Sequence, residues 1–250
     1  MKISQSGKDV EKTLKWLRWG DADYRAARLT LRAGLLVQGA ALSDTAIEKY
    51  LKSLFSHLGV QIPRSHRVSE LYKRIKKETA SDLTVNESYL RLLEKAYTLR
   101  YPDEVVEGFN LALNQARLLA ELDRTIKKIT ERFEIVRQDT KQKIPQVLER
   151  AVEEKDEGIL TDNVAANPAL TSALFSGPSR SYDVRMHKGN LFEAGYTTAT
   201  VKDGPEYEVE GFTVVTDRQY QVAYHPILRS PNSASVDGIA QTRVRDDRNP

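Results

Sequence analysis

Arg100-Tyr101-Pro102-Asp103 sets a guanidinium and a phenol side by side at the junction of two segments with helical apolar spacing. A guanidinium offers a fixed fork of donors to a phosphate, and a phenol ring offers a face to a base. From residue types alone the first expectation is structural, with Arg100 paired to a carboxylate and Tyr101 packed. Asp21 and Asp23 lie on or beside the apolar face of the first helical segment, and either would orient Arg100 on meeting it across a bundle. Arg25 and Arg28, four and seven residues after Asp21, supply the simpler intrahelical pairing. His57 and His66 flank a loop that holds Arg64 and Arg67. That combination fits a proton-transfer pair or a phosphate site, and it fits a surface histidine beside a helix-starting one. The ligand-binding candidates are therefore Arg100, Tyr101, Asp23, Asp21 and His66, and no residue is assigned a catalytic role.

Several chemistries are excluded. The chain has no cysteine, so it forms no disulfide and no thiolate metal site. His187 and His225 have Asp183 and Glu193 near in sequence but lack dependable ligand spacing, so neither a metal nor a cofactor is expected. No phosphate-binding P-loop, no GxGxxG and no GxSxG motif occurs, and Ser, His and Asp fall into no triad order. The run Lys73, Arg74, Lys76, Lys77 has only Tyr72 beside it and reads as a solvated helix face.

The elements that must position these residues divide the chain. In residues 1–150 there are 28 Lys+Arg and 20 Asp+Glu, a net of +8; the totals of 38 and 35 leave 10 and 15 for residues 151–250, a net of −5. The basic part suits phosphate, or the acidic part of its own or another chain. Apolar stripes predict helices through Leu14, Leu17, Tyr24, Ala27 and Leu31 up to Gly34, and through Leu42, Ala46, Tyr50, Leu54 and Leu58 up to Gly59. A third is expected over about 68–78. A fourth, capped by Asn86 or Asp82, leads to Arg100. Pro102 ends it, and a long fifth helix is expected from about Asp103 to beyond Phe133. Pro145 opens a sixth over 146–154. From about Gly158 the composition turns to Gly, Pro, Asn, Thr, Tyr and Val. A helical turn is expected at 169–175, then alternating runs at Tyr182, Val184 and Met186, at Tyr196, Thr198 and Thr200, at Tyr207 and Val209, and at Tyr220, Val222 and Tyr224. Lys202-Asp203-Gly204 reads as a hairpin turn.

The expected fold is α+β: a helical bundle over 1–155, a small antiparallel β-rich region over 156–228 packed on it or on a partner, and a polar flexible tail over 229–250. No stretch approaches the ~20 apolar residues of a membrane span, and the first residues do not form a signal peptide. A soluble, cytoplasmic protein is expected.

With the helices placed, residues of about 10–130 resemble the HEPN family of helical nucleotide-binding domains. Trp19-Gly20-Asp21-Ala22-Asp23-Tyr24-Arg25-Ala26-Ala27 resembles the family's opening helix, and Asp44-Thr45-Ala46-Ile47-Glu48-Lys49-Tyr50-Leu51-Lys52-Ser53-Leu54 its AxEKxLKxLL segment. Ser65-His66-Arg67-Val68-Ser69-Glu70-Leu71 is similar to the start of the third helix, and Arg100-Tyr101-Pro102-Asp103 to an arginine–tyrosine–proline junction. The resemblance implies an up-and-down bundle and commonly a homodimer. It also implies a nucleotide or RNA ligand, and a nucleotidyltransferase or antitoxin as partner. Many members are metal-independent ribonucleases or toxins with an Arg, four to six residues, then a His. Here the positions after Arg100 with that spacing are Val105, Val106 and Glu107, and no His follows until His187. The expected function is thus binding or regulation without catalysis. The alternatives are an atypical ribonuclease in which another group replaces the histidine, and an oligomeric interaction module.

Overall fold

A computed structural model describes residues 7–79, 82–136, 140–199, 201, 212–216, 222–226 and 240–242. Helix α1 (Gly7–Arg32) and α2 (Leu36–His57) are joined by three residues and pack along their lengths. Gly34 takes a positive φ of 82° in the turn. Gly39 lets the two helices close: a Cβ there would stand 2.5 Å from a Leu31 methyl carbon. After Gly59 (φ 69°) come α3 (Val68–Thr79) and α4 (Glu87–Thr98). Of the two possible caps for α4, Asn86 is the one used, its side chain accepting from the Ser88 and Tyr89 amides.

The single helix expected from Asp103 to Phe133 is three elements. A short 3-10 turn covers Pro102–Glu104, strand β1 covers Asn110–Asn114, and α5 covers Gln115–Thr130. Gly108 adopts φ 83°, which interrupts any helix there. Leu111 and Leu113, two apart, both enter the main core, which a strand achieves and a helix does not. Asn114 then ends the strand and caps α5 by accepting from the Arg117 amide.

The chain continues through α6 (Val147–Glu154), α7 (Glu157–Leu160) and α8 (Leu170–Ser176). Next come β2 (Ser179–His187) and β3 (Asn190–Thr198), which with β1 make an antiparallel sheet of order β1-β2-β3. Lys188 and Gly189, at φ 50° and 71°, form the two-residue turn between β2 and β3. β1 lines up with Asn110 opposite Arg185 and Leu113 opposite Tyr182, so a strand from within the helical half opens the sheet. A second antiparallel sheet contains β4 (Phe212–Thr216), β5 (Val222–Pro226) and β6 (Ala240–Thr242) in that order. The Lys202-Asp203-Gly204 turn and the Tyr207–Val209 run lie outside the described residues, as does the rest of the tail beyond β6. The main core is one large cluster drawn chiefly from α1 to α5, Tyr24, Ile47, Leu71, Leu93 and Ile126 among them, joined by Leu111 and Leu113 of β1, Val147 and Ala151 of α6 and Ile159 of α7. α8 lays Phe175 on Ala116, Ala120 and Val164 as a smaller second cluster.

Candidate functional site

The corner after α4 is built by local hydrogen bonds. The Arg100 amide donates to the Tyr97 carbonyl at 3.1 Å, the Tyr101 amide to Thr98 at 2.9 Å and the Glu104 amide to Tyr101 at 2.9 Å. These i to i+3 bonds tighten the chain across Pro102, which has no amide hydrogen. Arg100 is exposed, its guanidinium carbon 4.8 Å from the Tyr97 ring centre. Tyr101 is 48% exposed and its ring lies 6.4 Å from that of Tyr97. Among the described residues Arg100 pairs with no carboxylate, so the Tyr97 ring orients an exposed guanidinium.

Beside this corner the 105–109 loop meets the β2–β3 hairpin. The Gly108 amide donates to Met186 at 3.3 Å, and the Met186 amide to Phe109 at 2.9 Å. The Glu107 carboxylate accepts from the Lys188 and Gly189 amides at 3.0 and 3.2 Å. Those two amide bonds, helped by His187 and Arg185, hold it below the usual carboxylate range. His187 Nδ1 stands 3.6 Å from Glu107 Oε1. An imidazole 80 residues away in sequence thus arrives at the position seven residues after Arg100. No local sequence pattern could have announced it.

Asp21 and Asp23 do not meet Arg100. Asp21 accepts from the Tyr50 hydroxyl and pairs with Arg150 of α6, and Asp23 pairs with Lys49 of α2. Arg25 and Arg28 also look away from Asp21, Arg25 to Asp156 and Arg28 to Asp123. His66 is exposed, with Nδ1 3.0 Å from Glu48 Oε1, and Lys52 pairs with the same carboxylate oxygen at 2.7 Å. His57 instead packs against Phe133 at 5.2 Å between ring centres, and burial lowers its pKa. Arg67 pairs with Glu70 at 2.9 Å, so the paired histidines and arginines do not form one cluster. The candidates therefore occupy two places: Arg100 and Tyr101 at the α4 corner, and Asp21, Asp23 and His66 along the α1–α2 surface.

Two carboxyl groups depart furthest from ordinary behaviour. Asp44, buried in α2 with Oδ1 unpartnered, is pushed up to about 8 by burial first and by Glu94 and Glu48 after it. Asp123, wholly buried, is pushed up to about 6 by burial, against the pull of Arg28 and Tyr24. Among the described residues no group of three or more His, Asp or Glu is placed to hold a metal ion.

A helical bundle of mixed charge, closed by a small antiparallel sheet and carrying an exposed arginine over the Tyr97 ring, defines the class. More than half of the chain, residues 13–153, matches the HEPN domain, and the chain belongs to that family of nucleotide-binding and ribonuclease-type domains. The match runs on into α6, whose Arg150 is tied to Asp21 of α1. No curated protein and no solved structure matches the chain. Among the described residues no helix is long and apolar enough to cross a membrane.

Proposed function

We propose that this chain is a binding member of the HEPN family, which holds a phosphate-bearing ligand, a nucleotide or an RNA strand, at the Arg100 corner without cleaving it. The carrying observation is the Arg100 side chain, stacked on Tyr97, exposed, and paired with no described carboxylate. Its N–H edge suits a phosphate and the exposed Tyr101 ring suits a base. A labelled oligoribonucleotide followed by fluorescence anisotropy tests this. Affinity is expected to fall steeply with salt, and Arg100→Ala is expected to weaken it about tenfold, the loss of one charge-assisted contact. Unchanged affinity in that variant removes the site.

A second reading, an atypical ribonuclease, is favoured by one observation: His187 stands 3.6 Å from Glu107, the last of the three positions after Arg100 where a signature histidine would fall. There the hairpin imidazole would move the proton that Glu107 is too acidic to supply near neutral pH. This reading expects cleavage of single-stranded RNA that both His187→Ala and Arg100→Ala abolish. Intact RNA after long incubation at high protein concentration rejects it and keeps the binding reading.

A further inference from the structure

Trp16 and Trp19, the chain's two tryptophans, lie one turn apart on α1 and meet edge to face, ring centres 5.7 Å apart at 83°. Trp19 is 48% exposed, an unusual setting for so large an apolar ring. Three lysine ammoniums surround the pair: Lys15 lies 5.0 Å and Lys49 6.0 Å from the Trp19 ring centre, and Lys52 lies 5.6 Å from that of Trp16. Asp23 and Glu48 hold Lys49 and Lys52 from the helix side. Lys52 is buried, whereas Lys49 is partly exposed and its ammonium has three donors, of which the Asp23 pairing uses one. Lys15 is exposed and pairs with no carboxylate among the described residues.

We propose that Trp16 and Trp19 form a stacking platform for unpaired bases of a single-stranded nucleic acid, with Lys15 and Lys49 contacting its phosphates, while the buried Lys52 supports the Trp16 ring from beneath. The proposal rests on reading the chain as a binder of phosphate-bearing ligands, and it adds a contact on a different helix from the Arg100 corner. The ligand class follows from the combination. An acidic peptide answers the lysines and leaves the indole faces wet, whereas an apolar partner covers the indoles and strands the charges. A nucleotide strand brings a planar base and an anion together at each step. The exposed Lys15 chain swings off the ring as a base arrives and keeps its charge beside the adjoining phosphate.

Because both tryptophans belong to the platform, tryptophan emission, excited on the long-wavelength edge where the eleven tyrosines do not absorb, reports on it alone. A 12-mer of oligouridylate is expected to quench the emission, with an affinity that falls as salt rises. An RNA duplex of the same length, whose bases are already stacked, is expected not to quench. Lys15→Glu lies on the surface and should leave the fold intact while weakening binding about tenfold at low salt. Trp19→Ala should weaken it tenfold or more, and Trp19→Phe should recover most of that loss, since a smaller ring still stacks. Absence of quenching at saturating oligouridylate overturns the platform, as does equal quenching by poly-glutamate, which would assign the face to an acidic protein. Quenching and affinity unchanged in Arg100→Ala keep the platform and reject the Arg100 site. Anisotropy-detected binding that Arg100→Ala abolishes, with no quenching in the parent, does the reverse.

Discussion

Asp123→Ala is expected to cost about 3–5 kcal/mol, a large part of the roughly 5–15 kcal/mol that holds a domain folded. Arg28 and Asp123 are both fully buried and paired, Arg28 in α1 and Asp123 in α5. The Tyr24 hydroxyl donates to Asp123 at 2.8 Å, and the Asn163 amide donates to the Tyr24 oxygen at 2.8 Å. Arg28 also donates to the Thr161 carbonyl, and Asn163 accepts from the Ala165 and Ala166 amides, each at 2.9 Å. One network thus fastens the segment after α7 to two bundle helices. Removing the carboxylate leaves a desolvated guanidinium with a single carbonyl acceptor, and the penalty of an unpaired buried charge exceeds the net worth of the pair. The double variant Arg28→Met, Asp123→Leu should therefore be more stable than Asp123→Ala alone. Urea unfolding of the three proteins measures this. A loss below ~1 kcal/mol in Asp123→Ala would show that the pair is wetter or looser than its burial implies.

The second large effect is a pH dependence set by Asp44. In the folded chain this carboxyl keeps its proton up to about pH 8, whereas its ordinary value is 3.8. Between those values the native state binds one proton more than the unfolded state. Its contribution to stability is fully present below the unfolded pKa and is lost as pH rises through the folded one, at up to ~1.4 kcal/mol per pH unit. Summed across the window, the loss is on the order of 5 kcal/mol. Asp44→Asn keeps the shape and removes the titration. It is expected to flatten the slope of unfolding free energy between pH 5 and 8 and to be more stable than the parent at pH 8. Parallel slopes in the two proteins would mean that Asp44 is already ionised in the fold. His57, lowered by burial, acts oppositely, losing stability as pH falls, but it is common to both proteins and cancels in the comparison.

Local signals carried much of the fold. Gly34 and Gly59 stop α1 and α2 at positive φ, Asn86 caps α4, and α6 follows Pro145 as expected. The HEPN resemblance over about 10–130, carried by short motifs in the right order, overlaps the matched region, which runs on to residue 153. The segment after Pro102 failed for an identifiable reason. Val106, Phe109, Leu113, Ala116, Leu119 and Ala120 can be read along a helix, and short apolar runs do not separate the two periods. What decides is β2, some 70 residues further on, whose backbone offers the 110–114 segment hydrogen-bond partners.

The sequence by itself determined α1 to α4 and α6, most of their ends, the family and the placement of Arg100 and Tyr101 at the end of a helix, because caps, glycines, prolines and apolar spacing act within a few residues. Only the tertiary structure decided the partners: Asp21 with Arg150 rather than Arg100, Asp23 with Lys49, Arg28 with Asp123, and His187 beside Glu107. A charge takes whichever opposite charge packing brings near and keeps dry, and that depends on residues up to 131 positions apart. The exposure of Trp19 is of the same kind, since the spacing of two tryptophans is visible in the chain and the side of the bundle left uncovered is not.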